Sequence, residues 1–193
     1  MSQAYINGEY FEKSEAKISI FDRGFLFGDG LYEVVPVFSG QPFLFKQHMQ
    51  RLERGCKELN FGPVTNDFEE VFETLLKSET ATDLIYYIQI TRGQEKNRNH
   101  IYHDSIRPNV VAFLQPLKVT KRDEAEKGYT AVTAPEPRWN RCDIKATVLL
   151  PNVMHKMSAF HKQNLETIFF SGDYVTECTA SNLFVVKDGV VKT

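Results

Sequence analysis

Residues 84–90 read Leu84-Ile85-Tyr86-Tyr87-Ile88-Gln89-Ile90, a compact apolar run of β-branched and aromatic residues that predicts a strand. Val110-Val111-Ala112-Phe113-Leu114 has the same character and predicts another. Immediately upstream the period changes. Phe45, Met49, Leu52, Cys56 and Leu59 recur at helical spacing and make one apolar face. A second helix is expected where Asn66 and Glu69 have the spacing of a capping box and Phe68, Val71, Phe72, Leu75 and Leu76 form a buried stripe. Further upstream, Tyr5-Ile6-Asn7-Gly8-Glu9-Tyr10-Phe11 reads as a hairpin around Asn-Gly, and residues 31–37 and 42–45 as another turning at Ser39-Gly40. Strands, then helices, then strands predict an α+β layer rather than a doubly wound sheet.

The polar stretch 92–108 between the two central strands is too long for a simple turn and is a candidate functional loop. Residues 118–128 are charged and almost without large apolar side chains, the composition of a linker. Beyond it a strand is expected near 129–133, a helix near 149–164, and strands near 167–170 and 182–187. The tail, Asp188-Gly189-Val190-Val191-Lys192-Thr193, resembles a hairpin that has just turned back. The predicted organisation is a small α+β domain over 1–117, a linker over 118–128, and an incomplete α/β domain over 129–193. The chain is expected to be a truncated version of something longer.

With 193 residues, 42% hydrophobic and 25% charged, the chain has an ordinary globular composition and the length to bury a core without staples. Its net charge of −2 gives no electrostatic reason to expect nucleic acid as a partner. No apolar run approaches the ~20 residues that span a bilayer. Met1-Ser2-Gln3-Ala4-Tyr5 has neither the basic nor the apolar region of a secretory leader, so a cytoplasmic location is expected. Cys56, Cys142 and Cys178 form no CxxC and suit structural thiols in a reducing compartment, and the histidines show no zinc-ligand spacing, so no metal is expected.

Composition and periodicity stop there. Three motifs go further: Asp22-Arg23-Gly24-Phe25-Leu26-Phe27-Gly28-Asp29-Gly30-Leu31-Tyr32-Glu33, then Arg138-Trp139-Asn140-Arg141-Cys142-Asp143-Ile144-Lys145, then Val175-Thr176-Glu177-Cys178-Thr179-Ala180-Ser181-Asn182-Leu183-Phe184. In this order they resemble the class IV aminotransferases, fold-type IV pyridoxal 5′-phosphate enzymes of the branched-chain and D-amino acid type. The resemblance runs from Tyr5 to Lys192. It implies a pseudo-barrel-like cofactor domain, incomplete here, because family members continue past the position of Thr193 through a Gly-rich turn at a helix N-terminus that binds the cofactor phosphate.

Lys145 follows a β-type segment, has Trp139 and Ile144 nearby, and precedes an apolar run. The resemblance makes it the catalytic residue: a lysine holds the cofactor aldehyde as a Schiff base and then moves a proton between substrate and cofactor. Glu177 is implied to face the pyridine nitrogen. Thr179 and Ser181 suit cofactor contacts or, equally, turn formation. Arg51, on a different helix face from Met49 and Leu52, is implied to anchor the cofactor phosphate with its forked guanidinium. Gly28-Asp29-Gly30 lacks the spacing of a nucleotide loop and more simply lets the backbone turn ahead of a strand. Arg98-Asn99-His100 resembles the Arg-x-His pair that, with the tyrosine matching Tyr32, traps the substrate carboxylate in D-amino acid aminotransferases; otherwise it is a solvated basic loop.

The expected activity is transamination between an amino acid, with D-amino acids favoured, and a 2-oxo acid, by a homodimer whose polar loop reaches the neighbouring subunit's site. A lyase of the aminodeoxychorismate type shares the Thr176-Glu177-Cys178 context, a branched-chain L-amino acid aminotransferase shares the cofactor, and a non-catalytic module is the alternative without chemistry.

Overall fold

The computed structural model describes residues 2–193 and divides into two compact units. The first comprises the described residues up to 118 together with 143–148, the second residues 119–142 together with 149–193.

The first unit holds β1 (Gln3–Ile6), β2 (Glu9–Glu12), α1 (Arg23–Phe27), β3 (Gly30–Phe38), β4 (Gln41–Pro42), α2 (Phe45–Glu58), α3 (Phe68–Leu76), β5 (Leu84–Thr91) and β6 (Asn109–Pro116). Its strands form one sheet in the order β2-β1-β6-β5-β3-β4, every pairing antiparallel. Burial alternates along the central strands, as a strand with one face on a core requires. Leu84, Tyr86, Ile88 and Ile90 of β5 are buried, and so are Val110, Ala112 and Leu114 of β6. Leu52 of α2 and Val71, Phe72 and Leu75 of α3 close that face. The predicted helices and central strands are present, and of the expected α3 stripe Val71, Phe72 and Leu75 are buried while Phe68 and Leu76 are partly so. The strand expected over 42–45 is cut to the two residues of β4, because Phe45 already begins α2.

Local details differ from the expectation. Asp67, not Asn66, caps α3, its carboxylate accepting from the backbone N–H groups of Glu69 and Glu70. Asn66 instead donates its side-chain amide to the Tyr5 phenol, which links the helix start to β1. Helix α1 has only 5 residues, too few to show a period, and rests on its ends. Asp22 caps it, and Gly28, at φ 69°, closes it in the left-handed region and turns the chain into β3.

The second unit contains α4 (Arg122–Ala125), β7 (Ala131–Pro135), α5 (Leu150–His161), β8 (Glu166–Ser171), β9 (Tyr174–Cys178), β10 (Val185–Lys187) and β11 (Val190–Lys192). The single-turn α4 lies within the charged 118–128 stretch. β7 and β8 pair in parallel across the α5 crossover, β9 returns antiparallel to β8, and β10–β11 is a separate hairpin. Strand β9 goes beyond the predicted elements; Gly172-Asp173 turns it back onto β8, and only Cys178 of it is buried, which leaves little apolar signal. The core is small: Ala159 and Phe169 are fully buried, whereas Val153, Met154, Met157 and Phe160 of α5 are exposed. Among the described residues no sheet closes into a barrel, and no helix is long and apolar enough to cross a membrane.

Candidate active site

Lys145 is placed by backbone pairing. The tetrapeptide Ile144-Lys145-Ala146-Thr147 lies along the edge of β3 where β4 does not reach. Leu31 and Ala146 form a bridge, Tyr32 N–H donates to the Lys145 carbonyl at 3.0 Å, and Thr147 N–H donates to the Gly30 carbonyl at 3.0 Å. Ile144, 4% exposed, pins the segment into the core of the first unit. This register sets Lys145 beside Tyr32. Its Nζ donates to the Tyr32 phenol oxygen at 3.3 Å and sits 4.4 Å from the ring centroid. Tyr32 in turn stacks on Tyr87, and Tyr87 on Phe113. Among the described residues no carboxylate lies within ion-pair distance of Lys145.

Successive residues of β3 face opposite sides of the sheet, so Glu33 turns its carboxylate inward among Leu31, Val35 and Val37. Its side chain is 0% exposed. Arg51 of α2 donates Nε to Oε1 at 2.5 Å and Nη2 to Oε2 at 2.7 Å, and His48 Nδ1 stands 2.8 Å from Oε2. Burial opposes ionisation of Glu33, but the hydrogen bonds and charges of Arg51 and His48 outweigh it and hold the carboxyl below its ordinary value. The Arg51 side chain itself stays 43% exposed.

In the polar loop Arg98, Asn99 and His100 are exposed. The Arg98 guanidinium lies 4.8 Å from the Phe27 ring centroid and the His100 ring 5.1 Å from the same ring. Among the described residues no hydrogen bond or ring contact joins either of them to Tyr32.

In the second unit Glu177 meets Arg138, whose Nη1 donates to Oε2. Arg138 is also gripped from behind by Glu136, through Nε to Oε1 and Nη2 to Oε2, both at 2.7 Å. Arg138 and a hydroxyl bond from Thr176 hold the Glu136 carboxyl down to about 2 despite its partial burial. Thr179 and Ser181 share one acceptor: both hydroxyls donate to Glu166, which also receives Lys156 Nζ at 2.7 Å. Burial raises the Glu166 pKa, but these donors more than reverse it.

The sequence matches the family amino-transferase class IV over residues 30–193. The chain belongs to that family. It is 36% identical over 195 residues to D-alanine aminotransferase of Staphylococcus epidermidis, a similarity that takes in 100% of this chain and 69% of the relative. It is 35% identical to D-alanine aminotransferase of Listeria monocytogenes over 97% of this chain and 66% of the relative. The crystal structure of Escherichia coli branched-chain amino acid aminotransferase superposes with a TM-score of 0.80 at 22% identity, covering 98% of this chain and 66% of that one.

For a class IV aminotransferase chain, sequence reasoning singled out Lys145 and Tyr32, and the fold brings them together. It missed Glu33, Glu136, Arg138 and Glu166, the residues that partner the singled-out ones. Glu33 left a signal: it is the only charged residue in the strand Gly30–Phe38, at an inward position of an alternating pattern. Glu136 and Arg138 left none, since an i, i+2 acid–base pair is common on surfaces. Among the described residues no group of three or more His, Cys, Asp or Glu is placed to hold a metal ion.

Proposed function

We propose that this chain carries the lysine, the ring-nitrogen acid and the substrate-selecting loop of a D-amino acid aminotransferase that uses pyridoxal 5′-phosphate and a 2-oxo acid acceptor. The observation that carries the reading is the Lys145 amine, hydrogen-bonded at 3.3 Å to a phenol and without a carboxylate partner among the described residues. A salt bridge would tie a lysine to a carboxylate; this one is oriented by a phenol oxygen that accepts from the amine.

The donor set fits the cofactor. Class IV aminotransferases are pyridoxal 5′-phosphate enzymes, and that group, when bound, supplies an aldehyde that an amine can take and a ring that accepts the electron pair released at the substrate Cα. Lys145 Nζ is the amine for the aldehyde and afterwards the base that carries a proton from Cα. Tyr32 keeps Nζ directed from one side by its hydroxyl and its ring face. Arg51 is proposed for the phosphate, its planar fork being held by the buried Glu33. Glu177 is proposed for the ring nitrogen, with Arg138 holding its carboxylate in place by a hydrogen bond, and Thr179 and Ser181 for supporting contacts. Arg98 and His100 are proposed for the α-carboxylate, which sets the Cα face presented to Lys145. A cytoplasmic homodimer, with each loop serving the partner's site, completes the reading.

Borohydride reduction of the protein treated with pyridoxal 5′-phosphate tests it. The label is expected on Lys145 and is expected to vanish in Lys145→Ala. Label on another lysine, with full transamination of D-alanine by Lys145→Ala, would refute the assignment. Release of pyruvate from the substrate without amino-group transfer would point to the lyase instead.

A further inference from the structure

The Asp22–Glu33 motif contributes Tyr32 to the proposed site, but its opening residues Asp22, Arg23 and Asp29 have no part there. They are nevertheless buried or nearly so, and they converge on the polar loop. Arg23 is 5% exposed. Its Nη1 donates to the Asn99 carbonyl at 2.5 Å and its Nη2 to the His100 carbonyl at 3.0 Å, while its Nε pairs with Asp29 at 2.9 Å. The same Asp29 oxygen, Oδ2, also accepts from Arg92 Nε at 2.8 Å, and Arg92 is itself 5% exposed. The Tyr102 ring lies against both guanidiniums, 5.4 Å from Arg23 and 4.1 Å from Arg92. The neck of the loop is closed by Gly93, whose backbone carbonyl accepts from Arg23 N–H at 2.8 Å.

This is an unusual use of a buried cation. Two successive loop carbonyls are fixed by one planar fork, whereas the side chains of Arg98, Asn99 and His100 stay exposed. Charge-assisted bonds from a rigid guanidinium fix direction as well as distance. The Phe27 ring, 4.8 Å from Arg23 and 4.8 Å from Arg98, ties the same cation to one of the exposed side chains. A backbone tied at 99 and 100 aims the side chains of 98 and 100 without touching them.

We propose that Arg23 is a positioning residue for substrate selection: through the carbonyls of Asn99 and His100 it sets where Arg98 and His100 point, and so how firmly the substrate carboxylate is held. The inference rests on the reading of Arg98 and His100 as carboxylate ligands. Asp29 and Arg92 are the frame that keeps Arg23 in register.

Arg23→Lys tests it, since a lysine keeps the charge and the Asp29 pair but cannot donate in parallel to two carbonyls. Two measurements are compared: amide hydrogen exchange at Ile101, His103 and Ile106, whose N–H groups are bonded within the loop, and steady-state kinetics with D-alanine. Arg23→Lys is expected to speed exchange at those amides by roughly tenfold or more, the loss of one charge-assisted bond, with β5 amides unchanged. It is also expected to raise the KM for D-alanine about tenfold, with a smaller change in kcat. Unchanged exchange would overturn the tether. Faster exchange with unchanged KM, in a protein where Arg98→Ala does raise KM, would overturn the positioning role. An Arg98→Ala protein that keeps its KM would overturn the carboxylate reading itself. If Arg23→Lys does not fold, Phe27→Leu removes the shared ring while leaving the ion pairs, and the same two shifts, smaller in size, are expected.

Discussion

Arg51 and Glu33 face each other across the α2–β3 interface through two parallel hydrogen bonds of 2.5 and 2.7 Å, one partner 43% exposed and the other not at all. The buried partner is therefore the dependent one. Removing Arg51 leaves a carboxylate in the core, whereas removing Glu33 leaves a guanidinium that water can reach. Arg51→Ala is expected to cost more stability than Glu33→Gln, about 3 kcal/mol against about 1–2 kcal/mol in chemical denaturation.

The same pair gives the pH dependence a sign. Glu33 is held below its ordinary value of 4.5, so its contribution is complete above that value and is lost as pH falls through the lower folded-state value. Stability measured from pH 7 down to pH 3 should decline below pH ~4.5. In Glu33→Gln that part of the decline should be missing.

Glu136 behaves likewise, lower still. Arg138 keeps its carboxyl at about 2, so its contribution is complete above the ordinary value of 4.5, declines progressively as pH falls below it, and is gone only near pH 2. Glu136→Gln should destabilise the protein by about 1.5–3 kcal/mol at neutral pH. It should also loosen Arg138 from Glu177, visible as a shift of the Arg138 side-chain signals in NMR.

Gly93 has φ +107°, and a Cβ there would lie 1.9 Å from the Arg107 carbonyl oxygen. No side-chain rotation relieves a backbone clash of that size. Gly93→Ala is expected to cost about 2–4 kcal/mol and to open the 94–107 loop to proteolysis, whereas Gly40→Ala, with open space around it, should cost only its φ strain.

Tyr32→Phe keeps the ring beneath Lys145 and deletes the acceptor of its amine. Borohydride labelling of Lys145 should persist, with transamination slowed by about tenfold, the worth of one hydrogen bond. Lys145→Ala should abolish both.

Much of the first unit was legible because its residues obey one period at a time. Leu84 to Ile90 alternate around a buried face, and Phe45, Met49 and Leu52 repeat at helical spacing, so local pattern and tertiary burial agree. The second unit was harder to read. Val153, Met154, Met157 and Phe160 place apolar side chains on an exposed surface, and β9 buries almost nothing, so pattern and burial part company. At the site, Lys145 was visible only through its motif. Its neighbour Tyr32 is set by a strand-edge register that no local spacing encodes, and the polar partners Arg138 and Glu166 act through contacts between residues far apart or unremarkable in the sequence.

The lysine-bearing segment has a consequence for how the molecule is made. The edge of β3 that receives residues 144–147 is in place as soon as the sheet forms, yet its occupant is synthesised only after residues 119–142 of the other unit. Until then Leu31 lacks its bridge partner and the core lacks Ile144. The first unit must close that long loop against chain entropy, which makes placement of the amine a late, long-range step of folding rather than a local one. A polypeptide cut after residue 118 would carry all six strands of the sheet and both of its packing helices, and would still arrive without Lys145.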